Sequence, residues 1–208
     1  MRSFVIVGSL AALWLVAGAA GAQDKKPART PAEEQAIAAI KKLGGLVLEI
    51  AQNDSRLDVA FHLADSKVGD AEIAPVKDLP QTAQLNLRGT EVTDAGLVHI
   101  KDLKGLTKLH LEKSKVTDVG LEQLKGLENL EYLNLYGTAV TDAGLKSLAP
   151  LKKLKKIYLW ETKVTDEGVA ALKAEIPGLS VIRGLDLAKP VEPKPEEKKE
   201  EAKPEEKK

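Results

Sequence analysis

The chain has 208 residues, with 31 Lys and Arg against 31 Asp and Glu, 43% apolar residues, 3% aromatics and no cysteine. Balanced charge argues against a surface built for nucleic acid, which needs clustered and uncompensated Lys and Arg. The absence of cysteine excludes disulfides, thiolate zinc sites, cysteine nucleophiles and thioether-linked lipid. With so few large aromatics for bulk, the core must be filled by Leu, Ile and Val in a repetitive arrangement.

Residues 1–22 read as an export signal: Arg2 gives a positive start, Phe4 to Val16 an apolar stretch, and Ala20-Gly21-Ala22 a small-residue cleavage site before Gln23. The expectation is an exported protein, periplasmic, cell-surface or secreted, with no stable membrane insertion once the signal is cleaved. A retained anchor would leave the same domain outside the membrane. Residues 23–31 (QDKKPARTP) are polar and read as a linker. In 32–58, Glu33 to Leu43 places Ala36, Ile37, Ile40 and Leu43 on one face, which predicts a capping helix ended by Gly44-Gly45. Leu46 to Ala51 and Leu57 to Leu63 then read as a hairpin.

From residue 59 to 186 the sequence repeats. Leu85, Leu109, Leu133 and Ile157 are spaced by 24, as are Leu87, Leu111, Leu135 and Leu159, and Val92, Val116, Val140 and Val164. The words Thr93-Asp94-Ala95-Gly96-Leu97, Thr117-Asp118-Val119-Gly120-Leu121, Thr141-Asp142-Ala143-Gly144-Leu145 and Thr165-Asp166-Glu167-Gly168-Val169 recur with the same step. Phe61, Leu63, Ser66, Val68, Asp70 and Ile73 form a weaker first copy, which makes five repeats. A period of this size is the mark of a solenoid.

Each unit has a physical reading. Leu85-x-Leu87 alternates with period two, so the leucines point inward from a short strand while Gln84, Asn86 and Arg88 point outward. Thr90, Ser114, Thr138, Thr162 and Ser66 sit where the chain turns off the strand and have hydroxyls to satisfy turn backbone groups. Asp94, Asp118, Asp142 and Asp166 precede Leu at helical spacing and are expected to be N-caps of one short helix per repeat. A calcium ladder is not expected, because each repeat offers one aspartate and lacks the paired carboxylates of an oxygen cage. The glycines of the words are expected to serve close packing.

The pattern L-x-x-L-x-L-x-x-T-x-V-T-D-x-G-L-x-x-L, over about Val59 to Ile182, resembles the leucine-rich repeat family, in the helix-backed variety of F-box-associated and secreted bacterial repeat proteins. Two departures stand out: the ladder position holds Thr or Ser where that family more often has Asn or Cys, and no F-box precedes the repeats. A ubiquitin-ligase-adaptor role is therefore an analogy of fold alone. The resemblance implies an α/β fold, a short horseshoe solenoid with a parallel sheet on the concave face and one short helix per 24-residue repeat on the convex face. Repeats bury their leucines only against neighbours, so both ends need caps. Leu172 to Ile182 slips from the period by one residue through Ile176-Pro177-Gly178-Leu179 and reads as an atypical closing repeat. Residues 187–208, rich in Lys, Glu and Pro, are expected to be a disordered tail.

No catalytic, metal or cofactor constellation emerges, and the expectation is a non-enzyme. His62 and His110 fall on equivalent outward strand positions two repeats apart, about 10 Å from one another at ~4.8 Å per strand, too far for a shared metal. His99 falls on the helical side. The outward strand positions are more telling: Ala60/His62/Ala64, Gln84/Asn86/Arg88, Lys108/His110/Glu112, Tyr132/Asn134/Tyr136 and Lys156/Tyr158/Trp160. Core filler belongs at leucine positions, where only Phe61 lies, yet the other four aromatics after residue 22 lie outward. Tyr and Trp beside charged residues are the types that dominate interface hot spots. Tyr132, Tyr136, Tyr158 and Trp160, flanked by Arg88, His110, Glu112, Lys156, Asn134 and Asn86, are therefore the candidate binding residues, for a protein partner or, through ring faces, a surface glycan. The same rings also fit a cross-strand cluster that stabilises the last repeats.

Overall fold

The computed structural model describes residues 28–64 and 67–184. The readings of 1–22 as a signal, most of the 23–31 linker, Ser66 as a ladder residue, the last two residues of the closing segment and the 187–208 tail lie outside them. The chain begins with helix α1 (Pro31–Lys42), followed by strands β1 (Leu46–Glu49) and β2 (Leu57–Ala60) and the helical turn α2 (Asp70–Ile73). Four strand–turn units follow: β3 (Thr82–Asn86) and α3 (Asp94–Leu97), β4 (Lys108–His110) and α4 (Asp118–Leu121), β5 (Tyr132–Asn134) and α5 (Asp142–Leu145), β6 (Lys156–Tyr158) and α6 (Asp166–Glu175). β7 (Ser180–Ile182) closes the sheet.

The seven strands are ordered as in the sequence. β1 and β2 are antiparallel, and every later neighbour is parallel. Leu85, Leu109, Leu133 and Ile157 are aligned in register and all are 0% exposed. Leucines one period apart thus form a continuous apolar stack between the sheet and the helical turns, each side chain contributing roughly 1.5–3 kcal/mol of burial. The ladder hydroxyls close the turns as expected: Thr90, Ser114, Thr138 and Thr162 each donate to the carbonyl three residues back, at 2.7 Å.

The T-D-x-G word works differently from the reading that made aspartate the N-cap. Thr93, Thr117, Thr141 and Thr165 are the N-cap residues, and each aspartate is the first helical residue. The aspartate reaches across to the next repeat instead. Asp94 Oδ1 accepts from the Thr117 amide at 2.7 Å and Oδ2 from its hydroxyl at 2.6 Å. Asp70 holds Thr93, Asp118 holds Thr141 and Asp142 holds Thr165 in the same two-bond manner. Thr93 and Thr141 also accept from an amide of their own turns, at 3.2 Å. The glycine completes the device: a Cβ at Gly96 would fall 2.5 Å from Asp70 Oδ1, and at Gly120, Gly144 and Gly168 it would collide with Asp94, Asp118 and Asp142. Close packing is thus its role. Asp166 has no following threonine, and Arg183 binds it instead while donating to the Val164 carbonyl at 2.9 Å.

Both ends depart from the strict period. In the first unit β2 pairs as Val59 with Leu85 and Ala60 with Asn86, a step of two residues beyond the expected Phe61–Leu85 match. Val68 nevertheless keeps its place, its carbonyl accepting from Glu91 at 2.7 Å, so the extra residues are taken up after the strand. The outward set there becomes Asp58, Ala60 and His62, and His62 aligns with Arg88 instead of His110. At the other end Ile176 and Leu179 take core positions one residue late, but β7 restores the register, pairing Val181 with Ile157. Upstream, α1 starts at Pro31, inside the expected linker, because Thr30 and Glu33 form a reciprocal capping box. The hairpin strands are shorter than expected, four residues each.

Two of these carboxylates tie stability to pH. The Thr30 amide, with lesser help from Gln81 and the Thr30 hydroxyl, holds Glu33 below its ordinary value of 4.5. The Thr165 hydroxyl and amide hold Asp142 below 3.8. Depressed folded-state values mean stability that is complete above the unfolded values and lost as pH falls through the folded ones. The melting temperature is therefore expected to hold steady from pH 7 to 5 and to fall below about pH 4.5. In an Asp142→Asn chain, scanned by calorimetry, the fall between pH 4 and 2 should be shallower.

Candidate functional site

The outward side chains of β4, β5 and β6 meet as one cluster. The rings of His110 and Tyr132 lie 4.8 Å apart, and those of Tyr132 and Tyr158 lie 5.4 Å apart. Parallel pairing puts His110 opposite Asn134 and Asn134 opposite Tyr158, so this file of rings zigzags across three strands, stepping to Tyr132 and back. Beyond the strand ends Tyr136 stacks on Trp160 at 5.2 Å with an interplanar angle of 29°. Trp160 is 53% exposed, so the cluster packs against itself without sinking into the core. Gly184 lies against the indole, where a Cβ would come within 2.8 Å of Nε1.

Polar groups bind the rings together. Asn134 Nδ2 donates to Glu112 Oε1 at 2.6 Å and approaches the Tyr132 hydroxyl at 3.4 Å. Its Oδ1 accepts from the Tyr136 amide at 3.1 Å, and Asn86 does the same for the Arg88 amide. These asparagines end their strands with a local turn, a structural duty in addition to any contact with a ligand. His110 Nδ1 lies 2.9 Å from Glu112 Oε1; a carboxylate only accepts, so Nδ1 carries the proton. Burial pushes the Tyr132 phenol above its ordinary value of 10, Asn134 opposing and Tyr158 and Glu112 adding to the rise, which leaves it a neutral donor at physiological pH. Glu112 Oε2 is buried and has no hydrogen-bond partner among the described residues.

Eight of the ten candidate residues thus belong to one surface, with Lys156 exposed opposite Tyr132 in the adjacent strand. Asn86 ends β3 in register with His110, at the edge of that surface, whereas Arg88, beyond the strand end, lines a separate hollow with His62, Lys67 and Glu91. One contributor was missed. Lys113 Nζ lies 5.4 Å from the centre of the Tyr136 ring, and its residue adopts a left-handed φ of 54°, as does Glu161. The equivalent turn positions are Gly89 and Gly137, at φ 69° and 68°. Holding side-chain residues there costs about 1–2 kcal/mol each, and both follow directly on residues of the cluster, Glu112 and Trp160. The signal was present as a repeat position that alternates between Gly and a charged residue.

Stacked strand–turn units with one outward polar and aromatic face define a solenoid repeat protein. Residues 104–163 match the family described as leucine rich repeat, and the same strand–turn unit extends through the parallel sheet on both sides of that stretch, so the fold is a leucine-rich repeat solenoid. No curated protein matches the chain. Solved structures similar to it include internalin C2 of Listeria monocytogenes, at 29% identity and TM-score 0.45 over 52% of this chain and 44% of that one. Another is the leucine-rich repeat ectodomain of the receptor kinase SOBIR1 of Arabidopsis thaliana, at 14% identity and TM-score 0.49 over 74% and 92%. An internalin (inlF) of Listeria monocytogenes matches at 16% identity and TM-score 0.40 over 72% and 54%. The matched part of the chain thus spans under half of the internalin C2 structure. Among the described residues no helix is long and apolar enough to cross a membrane.

Proposed function

We propose that this protein is an exported, non-catalytic interaction module that holds another protein against the concave strand face of its repeats. The observation that carries the reading is the placement of Tyr132, Tyr136, Tyr158 and Trp160 on outward strand positions, with Trp160 53% exposed, in a protein whose core positions are filled by Leu, Ile and Val. Large rings outside the core supply contact area at small entropic cost. Their mutual stacking across the paired strands β5 and β6 keeps that area ordered before a partner arrives. Export rests on the sequence of residues 1–22.

A Tyr132→Ala/Tyr158→Ala chain tests the reading. It is expected to lose at least a hundredfold in affinity for the protein that the parent chain retains from its native surface, measured by biolayer interferometry. Its melting temperature should stay within several degrees, since both tyrosines are only half-buried. Retention that soluble glycans compete away would replace the protein partner by a glycan. Retention unchanged by the double substitution would remove the strand face from the account.

A further inference from the structure

We propose that Glu112 anchors a cation-binding subsite on this face, one that takes the guanidinium or ammonium group of a basic side chain of the protein partner. The inference rests on the protein-binding reading above and adds the chemistry of its central contact.

Glu112 is 7% exposed, and its two carboxylate oxygens are treated unequally. Oε1 receives both His110 Nδ1 and Asn134 Nδ2, whereas Oε2, itself buried, receives no donor among the described residues. A buried acceptor without a donor is costly, more so when it is charged, and native proteins keep few of them. The other buried polar side chains of the repeats are satisfied: the hydroxyls of Thr82, Thr90, Ser114 and Thr138 all donate to carbonyls. Among the described residues this oxygen is the one buried side-chain acceptor left open.

The chain has nearby cations that do not fill the vacancy. Arg88 holds the equivalent position of the preceding repeat but is exposed, and among the described residues no Lys or Arg pairs with Glu112. Lys113, the next residue, turns through its left-handed φ and places Nζ over the Tyr136 ring instead. Positions equivalent to Glu112 carry Arg88, Tyr136 and Trp160, so a single acid stands between a cation and aromatic rings. A carboxylate oxygen lacking a donor, on a residue fixed through its other oxygen by two hydrogen bonds and neighboured by His110 and Tyr132, presents the two features that bind a basic side chain: charge pairing and ring faces.

The test titrates the full-length chain, labelled with nitrogen-15, with acetyl-Gly-Arg-Gly-amide and with the same peptide carrying citrulline, an uncharged isostere of arginine. The arginine peptide is expected to move the Asn134 side-chain amide signal saturably, and the citrulline peptide to bind at least tenfold more weakly. In Glu112→Gln that difference should vanish while the spectrum stays dispersed. The comparison of the two peptides on the parent chain needs no substitution, so it stands even if the variant misfolds. Equal response to both peptides, or an Asn134 amide unmoved by either, overturns the proposal. Failure of the parent reading looks different: there the Tyr132→Ala/Tyr158→Ala chain keeps its partner. If that chain loses the partner while Glu112→Gln retains it, the cation subsite alone is overturned.

Discussion

Gly144→Ala is expected to destabilise the protein by about 3–5 kcal/mol, an unusual penalty for one methyl group. The new Cβ would collide with Asp118 Oδ1 and lie 3.0 Å from the Asp118 Cα. The second contact is with backbone, so rotating the aspartate side chain does not relieve it. Overpacking of this kind costs about 1–3 kcal/mol. The displaced carboxylate also weakens its bonds to the Thr141 amide and hydroxyl, both 2.7 Å long in the folded chain; hydrogen bonds to charged groups contribute about 1.5–3 kcal/mol each. Urea unfolding of Gly144→Ala beside Gly105→Ala checks this, because a Cβ at Gly105 meets nothing closer than 3.6 Å. In an Asp118→Ala background the glycine substitution should cost less, because the carboxylate and its bonds to Thr141 are already gone and only the backbone contact is left. Equal costs at Gly144 and Gly105 would mean that the inter-repeat clamp is not the reason for the glycine.

Leu133→Ala is the second large effect, expected at about 2–5 kcal/mol. Leu133 is 0% exposed and aligned between Leu109 and Ile157, so its truncation opens a cavity in the middle of the stack. Each repeat of a solenoid is stabilised chiefly by its neighbours, and a central defect uncouples the two halves. Hydrogen exchange should therefore quicken most at the amides joining β5 to β4 and β6. Leu48→Ala, at a side chain 57% exposed, should cost under about 1 kcal/mol. A Leu133 variant as stable as the Leu48 variant would contradict the stacked core.

The period of 24 made the repeat architecture, the inward leucines and the outward aromatics legible, because alternation along a strand fixes which face a residue takes. What a single repeat cannot reveal is a bond made to the next one. Asp94 looked like an N-cap since it precedes a helical leucine pattern, but its partner Thr117 lies 23 residues on. The first unit was misaligned because Phe61 suits the position of either Leu85 or Leu87, and only strand pairing shows that Val59 meets Leu85. In the site, the ring positions followed from alternation, whereas the place of Lys113 over Tyr136 and the open oxygen of Glu112 depend on backbone conformation and cross-strand contacts. Arg88 shares the register of Glu112 yet stands with His62, since the two-residue shift of β2 brings His62 into line with it.

The measurement that tests the central claim most directly is site-specific photocrosslinking on the full-length chain. A benzoylphenylalanine replaces Tyr158 on the strand face or Val119 on the helical side, the latter 61% exposed, and each chain is irradiated with proteins released from its native cell surface. The account predicts a discrete protein adduct from position 158, suppressed by excess parent chain but not by excess Tyr132→Ala/Tyr136→Ala chain, and none from position 119. An adduct that forms from position 119 and not from 158 would contradict it.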